Sequence, residues 1–146
     1  MNEQNSGFTF VLVDDTQKKQ SQKKLTVLLV EDHASTLAMY EATVKEALGK
    51  DTEVLKVTTV KEAERVFKKH ARQITLVVMD GCLNGTHTLD TLPLIATMKE
   101  RASHIPIIAA CNIAHHREEM MCAGCDYELK RKSDLPDVLV SSLLGL

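Results

Sequence analysis

The sequence predicts a doubly wound α/β domain on a five-stranded parallel sheet, a (βα)5 arrangement, and three observations carry that expectation. Short apolar runs alternate with amphipathic stretches about five times from Leu25 onward. Several runs are unbroken Val, Ile and Leu, the pattern of strands covered on both faces. Acidic residues stand directly after two of them, Glu31-Asp32 and Asp80.

The predicted strands are Leu25–Val30, Glu53–Val57, Ile74–Met79, Ile105–Ala110 and a weaker Tyr127–Lys130. Between them lie helical segments. One carries Leu37, Tyr40, Val44 and Leu48 on one face, and a later one carries Leu92, Ile95 and Met98. The last places Leu135, Val138, Leu139, Ser142, Leu143 and Leu146 at helical spacing, with Pro136 tolerated in its first turn. Strand–helix alternation of this kind favours a parallel sheet. Ligands in such folds sit beyond the carboxyl ends of the strands.

Residues 1–23 read differently. Gly7-Phe8-Thr9-Phe10-Val11-Leu12-Val13 alternates like a strand without an obvious partner, and Asp14 to Lys24 is a polar, Gln- and Lys-rich linker. The division expected is therefore a tail at 1–23 and a domain at 24–146.

Composition excludes several classes. The chain has 146 residues, 44% hydrophobic and 3% aromatic with no Trp, so its core is aliphatic. A net charge of −2 gives no basic footprint for nucleic acid. No apolar run approaches the roughly 20 residues of a membrane helix, and the N-terminus lacks an apolar signal core. A soluble, cytoplasmic domain without membrane contact is expected, and its four cysteines (Cys82, Cys111, Cys122, Cys125) are read as reduced and mostly buried.

A parallel sheet would bring Glu31, Asp32 and Asp80 to one edge. Two carboxylates about 4 Å apart repel by about 4 kcal/mol at an effective dielectric near 20. A hard cation relieves this, and Mg²⁺ suits one or two carboxylates with waters and a phosphate oxygen. One carboxylate can then act as nucleophile toward phosphorus.

From Lys24 to Leu146 the chain resembles a response-regulator receiver domain, a flavodoxin-like fold. The matching residues are Val27-Leu28-Leu29-Val30-Glu31-Asp32-His33, Leu76-Val77-Val78-Met79-Asp80, Ile105-Pro106-Ile107-Ile108-Ala109-Ala110 and Ala123-Gly124-Cys125-Asp126. The resemblance implies that Asp80 accepts a phosphoryl group from a histidine kinase or histidine phosphotransfer protein. It implies Mg²⁺ bound by Asp32 and Asp80, by Glu31 through water, and by the backbone carbonyl of Cys82. It also allows a weak homodimer. Gly7 to Leu12 resembles the last strand of a histidine-kinase ATP-binding domain, which implies a hybrid kinase as the parent protein; a stand-alone regulator is the alternative. The chain itself shows no ATP site.

The sequence departs from that family at several positions. Cys111 stands where a Thr or Ser would hydrogen-bond the phosphoryl group, and a thiol is a weak donor. Asn112 replaces a small residue and narrows access, and Ile113 could shield the group from water. The phosphate-binding cation is Lys130 by its spacing from Tyr127, the expected switch aromatic, or Arg131 by an ungapped count. Leu83-Asn84-Gly85 replaces the usual Met-Pro loop. A degenerate receiver that docks partners without phosphorylation is therefore a second reading. Zinc at Cys122-x-x-Cys125 with His115 and His116 is set aside, because the cysteines fall at a helix end packed into the core. A phosphatase would need an acid at position 82.

Overall fold

The computed structural model describes residues 24–146, so the expectations for the 1–23 tail lie outside the described residues. Five parallel strands form one sheet in the order β2-β1-β3-β4-β5. In chain order the elements are β1 (Thr26–Val30), α1 (Ala34–Leu48), β2 (Glu53–Val57), α2 (Val60–His70), β3 (Leu76–Met79) and α3 (Leu92–Arg101). Then come β4 (Ile107–Ala109), α4 (Ala114–Ala123), β5 (Tyr127–Glu128), a 3-10 turn at Lys132–Asp134 and α5 (Leu135–Leu144). The predicted fold class is the one observed.

The alternation of side chains along each strand sorts the core into two layers. Val27, Leu29, Leu76, Val78 and Ile108 face Leu37, Tyr40 and Val44 of α1 and Leu135 and Leu139 of α5. Leu28, Val30, Val77, Met79 and Ile107 face Phe67 of α2, Ile95 and Met98 of α3, and Met120 of α4. Residues of β1 and β3 are buried throughout, whereas the edge strand β2 buries only Val57 fully. None of the helices among the described residues is long and apolar enough to cross a membrane.

Several strands are shorter than their apolar runs. Pro106 lacks an amide and only accepts, from Val77 N at 3.0 Å, so β4 begins at Ile107. Leu146 does not extend the α5 face: the helix ends at Leu144, Gly145 turns left-handed at φ 73, and Leu146 is 83% exposed. All four cysteines are free; Cys111 and Cys125 are buried, Cys82 is half-buried and Cys122 is exposed.

The lower edge of the sheet is tied by one side chain. Lys99 Nζ donates to the carbonyls of Ser103 (2.9 Å) and Ile105 (3.0 Å) and pairs with Asp126 Oδ2 (2.8 Å), which also accepts from Ile107 N (2.8 Å). Gly124 permits this closeness, since a Cβ there would lie 2.8 Å from Lys99 Cγ.

The strand order changes direction between β1 and β3, which pair from Val27↔Leu76 to Val30↔Met79. The residues that follow these strands therefore emerge side by side, and the sheet's upper edge opens a crevice there.

Candidate functional site

The sheet register dictates which residues meet. Asp80 N donates to Val30 O (2.9 Å), Glu31 N to Val57 O (3.1 Å) and Ala110 N to Met79 O (2.8 Å). Glu31-Asp32, Asp80 and Cys111 thus leave three neighbouring strands at one level. They line a cavity of about 290 Å³ together with Tyr40, Cys82, Asn112 and Lys132.

The acids carry unrelieved charge. Glu31 is only 4% exposed, and burial followed by the adjacent Asp32 raises its pKa, against the lowering bond from His33 N at 3.1 Å. Burial first, then the charges of Glu31 and Asp32, push Asp80 up to about 7, despite the Gly81 amide donating to its Oδ1 at 2.7 Å. Tyr40 is shifted upward by burial and by the charges of Glu31 and Asp80. Asp32 Oδ1 is buried without a hydrogen-bond partner among the described residues; the exposed ring of His33 comes within 3.4 Å but makes no hydrogen bond to it.

That orphaned oxygen is a direct test of fit for a hard cation. A buried, unpaired carboxylate oxygen beside two further acids is costly on its own and well suited to Mg²⁺. The oxygens of Asp32 and Asp80 and the Cys82 carbonyl form a donor set of the right chemistry, with Glu31 behind them.

The loop after β3 is held from inside. Thr91 is fully buried, and its hydroxyl reaches Asp80 O (2.9 Å) and Gly81 O (3.1 Å); Asp90 Oδ1 accepts from Leu83 N (2.9 Å). Gly81 is closely packed, since a Cβ there would lie 2.9 Å from Leu89 Cδ1 and 3.1 Å from Cys111 Sγ.

The basic residues are placed differently from the sequence reading. Leu129 N still pairs with Ala109 O (2.8 Å), which turns Lys130 outward to solvent. Arg131 is exposed and pairs with Asp134 at 3.4 Å. The short turn then brings Lys132 back over α1, its Nζ 3.5 Å from Thr36 Oγ1, so Lys132 is the lysine that borders the cavity.

The aromatic is displaced as well. Tyr127 packs into the α1/α5 layer and lines a groove at the opposite edge of the sheet. The β5 side chain that reaches α4 is Glu128, whose Oε2 accepts from Arg117 Nε at 2.9 Å. Arg117, Lys132 and Thr91 were missed because charged or hydroxylated residues on helices and turns read as solvated. Asn112 and Ile113 also line the cavity.

No protein-family model matches the chain, and no curated protein matches it in sequence. Its structure is similar to solved receiver domains. A response regulator receiver domain protein from Clostridium thermocellum aligns with TM-score 0.70 at 17% identity, over 83% of this chain and 95% of that one. A CheY-like receiver domain protein from Methanospirillum hungatei aligns with TM-score 0.68 at 16% identity, over 84% and 95%. The CheX–CheY complex with BeF3 and Mg²⁺ from Borrelia burgdorferi aligns with TM-score 0.71 at 16% identity, over 86% and 93%. The fold is that of the receiver domains of two-component response regulators.

Proposed function

We propose that this domain is a phosphoacceptor receiver: Asp80 takes a phosphoryl group from a phosphohistidine on a histidine kinase or phosphotransfer partner. The observation that carries the reading is the convergence of Glu31, Asp32 and Asp80 on one cavity, with Asp32 Oδ1 lacking a hydrogen-bond partner among the described residues.

In this account an Asp80 carboxylate oxygen attacks phosphorus in line as the phosphorus–nitrogen bond to the donor imidazole breaks; the imidazole then takes up a proton. Mg²⁺ neutralises the phosphoryl oxygens and the acids when bound. Asp32, Asp80 and the Cys82 carbonyl would hold it, and Glu31 would orient a water. Lys132 takes the phosphate-binding role that spacing assigned to Lys130. Asp80 must be ionised to attack, so a cation that favours the carboxylate is also a condition for reactivity.

A second reading, a degenerate receiver that docks partners independently of phosphorylation, is favoured by one observation. The Arg117–Glu128 pair occupies the β4–β5 face that a Thr and an aromatic would otherwise govern. A hybrid kinase parent rests on the sequence of Gly7 to Leu12 alone.

The test is intact-mass measurement after incubation with acetyl phosphate, with and without Mg²⁺, on wild type and Asp80→Asn. The expected result is a Mg²⁺-dependent gain of one phosphate that the variant lacks. Undiminished acid-labile phosphate in Asp80→Asn would overturn the assignment; no gain with either acetyl phosphate or a phosphohistidine donor would favour the docking module.

A further inference from the structure

Three soft-ligand side chains meet beside the acidic site, from segments far apart in sequence. Cys82 comes from the β3–α3 loop, Cys111 from the end of β4, and His116 from the first turn of α4. His116 Nδ1 lies 3.6 Å from Cys82 Sγ and 4.0 Å from Cys111 Sγ, and the three ligand atoms are all within 4.8 Å of one another. Cys111 and His116 are buried, while Cys82 is half-buried and opens on the cavity.

We propose that Cys82, Cys111 and His116 form a Cys2His binding site for a thiophilic divalent cation, for which Zn²⁺ is the chemical match. The geometry is close to what such an ion requires. Zinc–sulfur bonds of about 2.3 Å and zinc–nitrogen bonds of about 2.0 Å set tetrahedral edges of about 3.6 Å for S···N and about 3.8 Å for S···S. The 3.6 Å separation from Cys82 Sγ already matches the S···N edge, the 4.0 Å separation from Cys111 Sγ needs a few tenths of an ångström of contraction, and the two sulfurs, within 4.8 Å of each other, must close to the S···S edge as the ion binds. Each thiol releases its proton to solvent as its sulfur binds, and the imidazole binds through Nδ1 in its neutral form. Three protein ligands leave a fourth tetrahedral position for water.

The ligand types separate this site from the acidic one. Glu31, Asp32 and the Cys82 carbonyl are hard oxygen donors, whereas the two sulfurs and the imidazole select a softer ion. The same residue, Cys82, would serve both, by its carbonyl on one side and its thiol on the other. A bound ion would join the β3–α3 loop to α4 where the receiver family relies on a hydroxyl. That consequence rests on the receiver reading, but the binding itself does not.

The experiment is a titration of the metal-free, reduced full chain with Co²⁺, followed by displacement with Zn²⁺. One equivalent of Co²⁺ is expected to give intense thiolate-to-cobalt charge transfer with tetrahedral d–d bands, both lost on adding Zn²⁺. Changes to outer-shell partners alone cost 10–100-fold in affinity, so Cys82→Ser, Cys111→Ser and His116→Gln should each weaken binding by at least about 100-fold. Cys122→Ser should leave it unchanged. Circular dichroism of the metal-free variants confirms their fold, and Cys82→Ser, at a half-buried loop position, keeps the test valid if a buried variant unfolds. Weak octahedral bands alone, as oxygen ligands at Glu31 and Asp32 would give, overturn the proposal. So does charge transfer that persists in Cys82→Ser or vanishes in Cys122→Ser. Mg²⁺-dependent labelling of Asp80, measured separately, decides the receiver reading independently.

Discussion

Arg117 and Glu128 form a partly buried ion pair at 2.9 Å, and the same guanidinium donates through Nη1 to Cys111 O at 2.7 Å. One side chain therefore joins α4 to β5 and to the end of β4. Arginine suits this because its planar fork serves two acceptors at once. Arg117→Ala leaves a half-buried carboxylate and a buried carbonyl unpaired, and should cost about 2–3 kcal/mol. Arg117→Lys should recover less than half of that, since an ammonium cannot span both acceptors. Urea unfolding checks both, and full rescue by Lys would sink the clamp.

Lys132 and Lys130 are separated by their surroundings. Both are exposed, but Lys132 borders the cavity and Lys130 does not. Removing a donor to developing charge costs about 10²–10³ in rate at a buried site, and less at an exposed one. Lys132→Ala should slow acetyl-phosphate labelling of Asp80 by about tenfold, with Lys130→Ala within about twofold of wild type. The reverse ranking returns the role to Lys130.

The acids also make a pH prediction. Asp80 holds its proton up to about 7 in the folded chain, against an ordinary value of 3.8, and Glu31 is raised in the same direction. The folded state thus binds more protons than the unfolded one across that window, so stability falls as pH rises through it. In chelator, unfolding free energy should drop by on the order of 1–2 kcal/mol from pH 5 to pH 8, the full shift being reduced by solvent screening. Mg²⁺ should restore stability at pH 8, and Asp80→Asn should flatten the dependence. Thermal unfolding measures it; stability that climbs over this range in chelator contradicts the raised acids.

Thr91 gives a fourth test. Its hydroxyl reaches the carbonyls of Asp80 and Gly81 from inside the fold, the latter also accepting from Asp90 N at 3.0 Å. Thr91→Val keeps the shape but leaves those groups without it, and should cost about 1–3 kcal/mol. The labelling rate of Asp80 should fall as well, because the loop carrying the nucleophile loses its anchor. Unchanged stability and rate would show that the anchor is dispensable.

These residues also mark what was legible in the sequence. The runs Val27–Val30 and Leu76–Met79 read as central strands, because they are short, rich in Val and Leu and apolar at consecutive positions, as a sheet covered on both faces demands. The acids following them were bound to meet once the strands paired in parallel. Lys132 was not legible, since its position depends on where the edge strand β5 stops pairing and on the turn closed by Asp134 N to Arg131 O at 2.9 Å. Nor was Arg117, as a helical arginine reads as solvated until its partners on β4 and β5 are known. Cys111 was singled out as a departure, but its proximity to Cys82 and His116 is a product of the β3–α3 loop, the end of β4 and the first turn of α4, and has no local signature.

The tie made by Lys99 has a mechanical corollary. It cross-braces the entry to β4, the entry to β5 and the end of α3, while the opposite rim is built from crossovers that end in loops. Deformation is thereby polarised. The sheet is thus a plate clamped along one side, and under the proposed function the added charge would arrive at the other, where the β3–α3 and β4–α4 segments carry no such brace from Lys99.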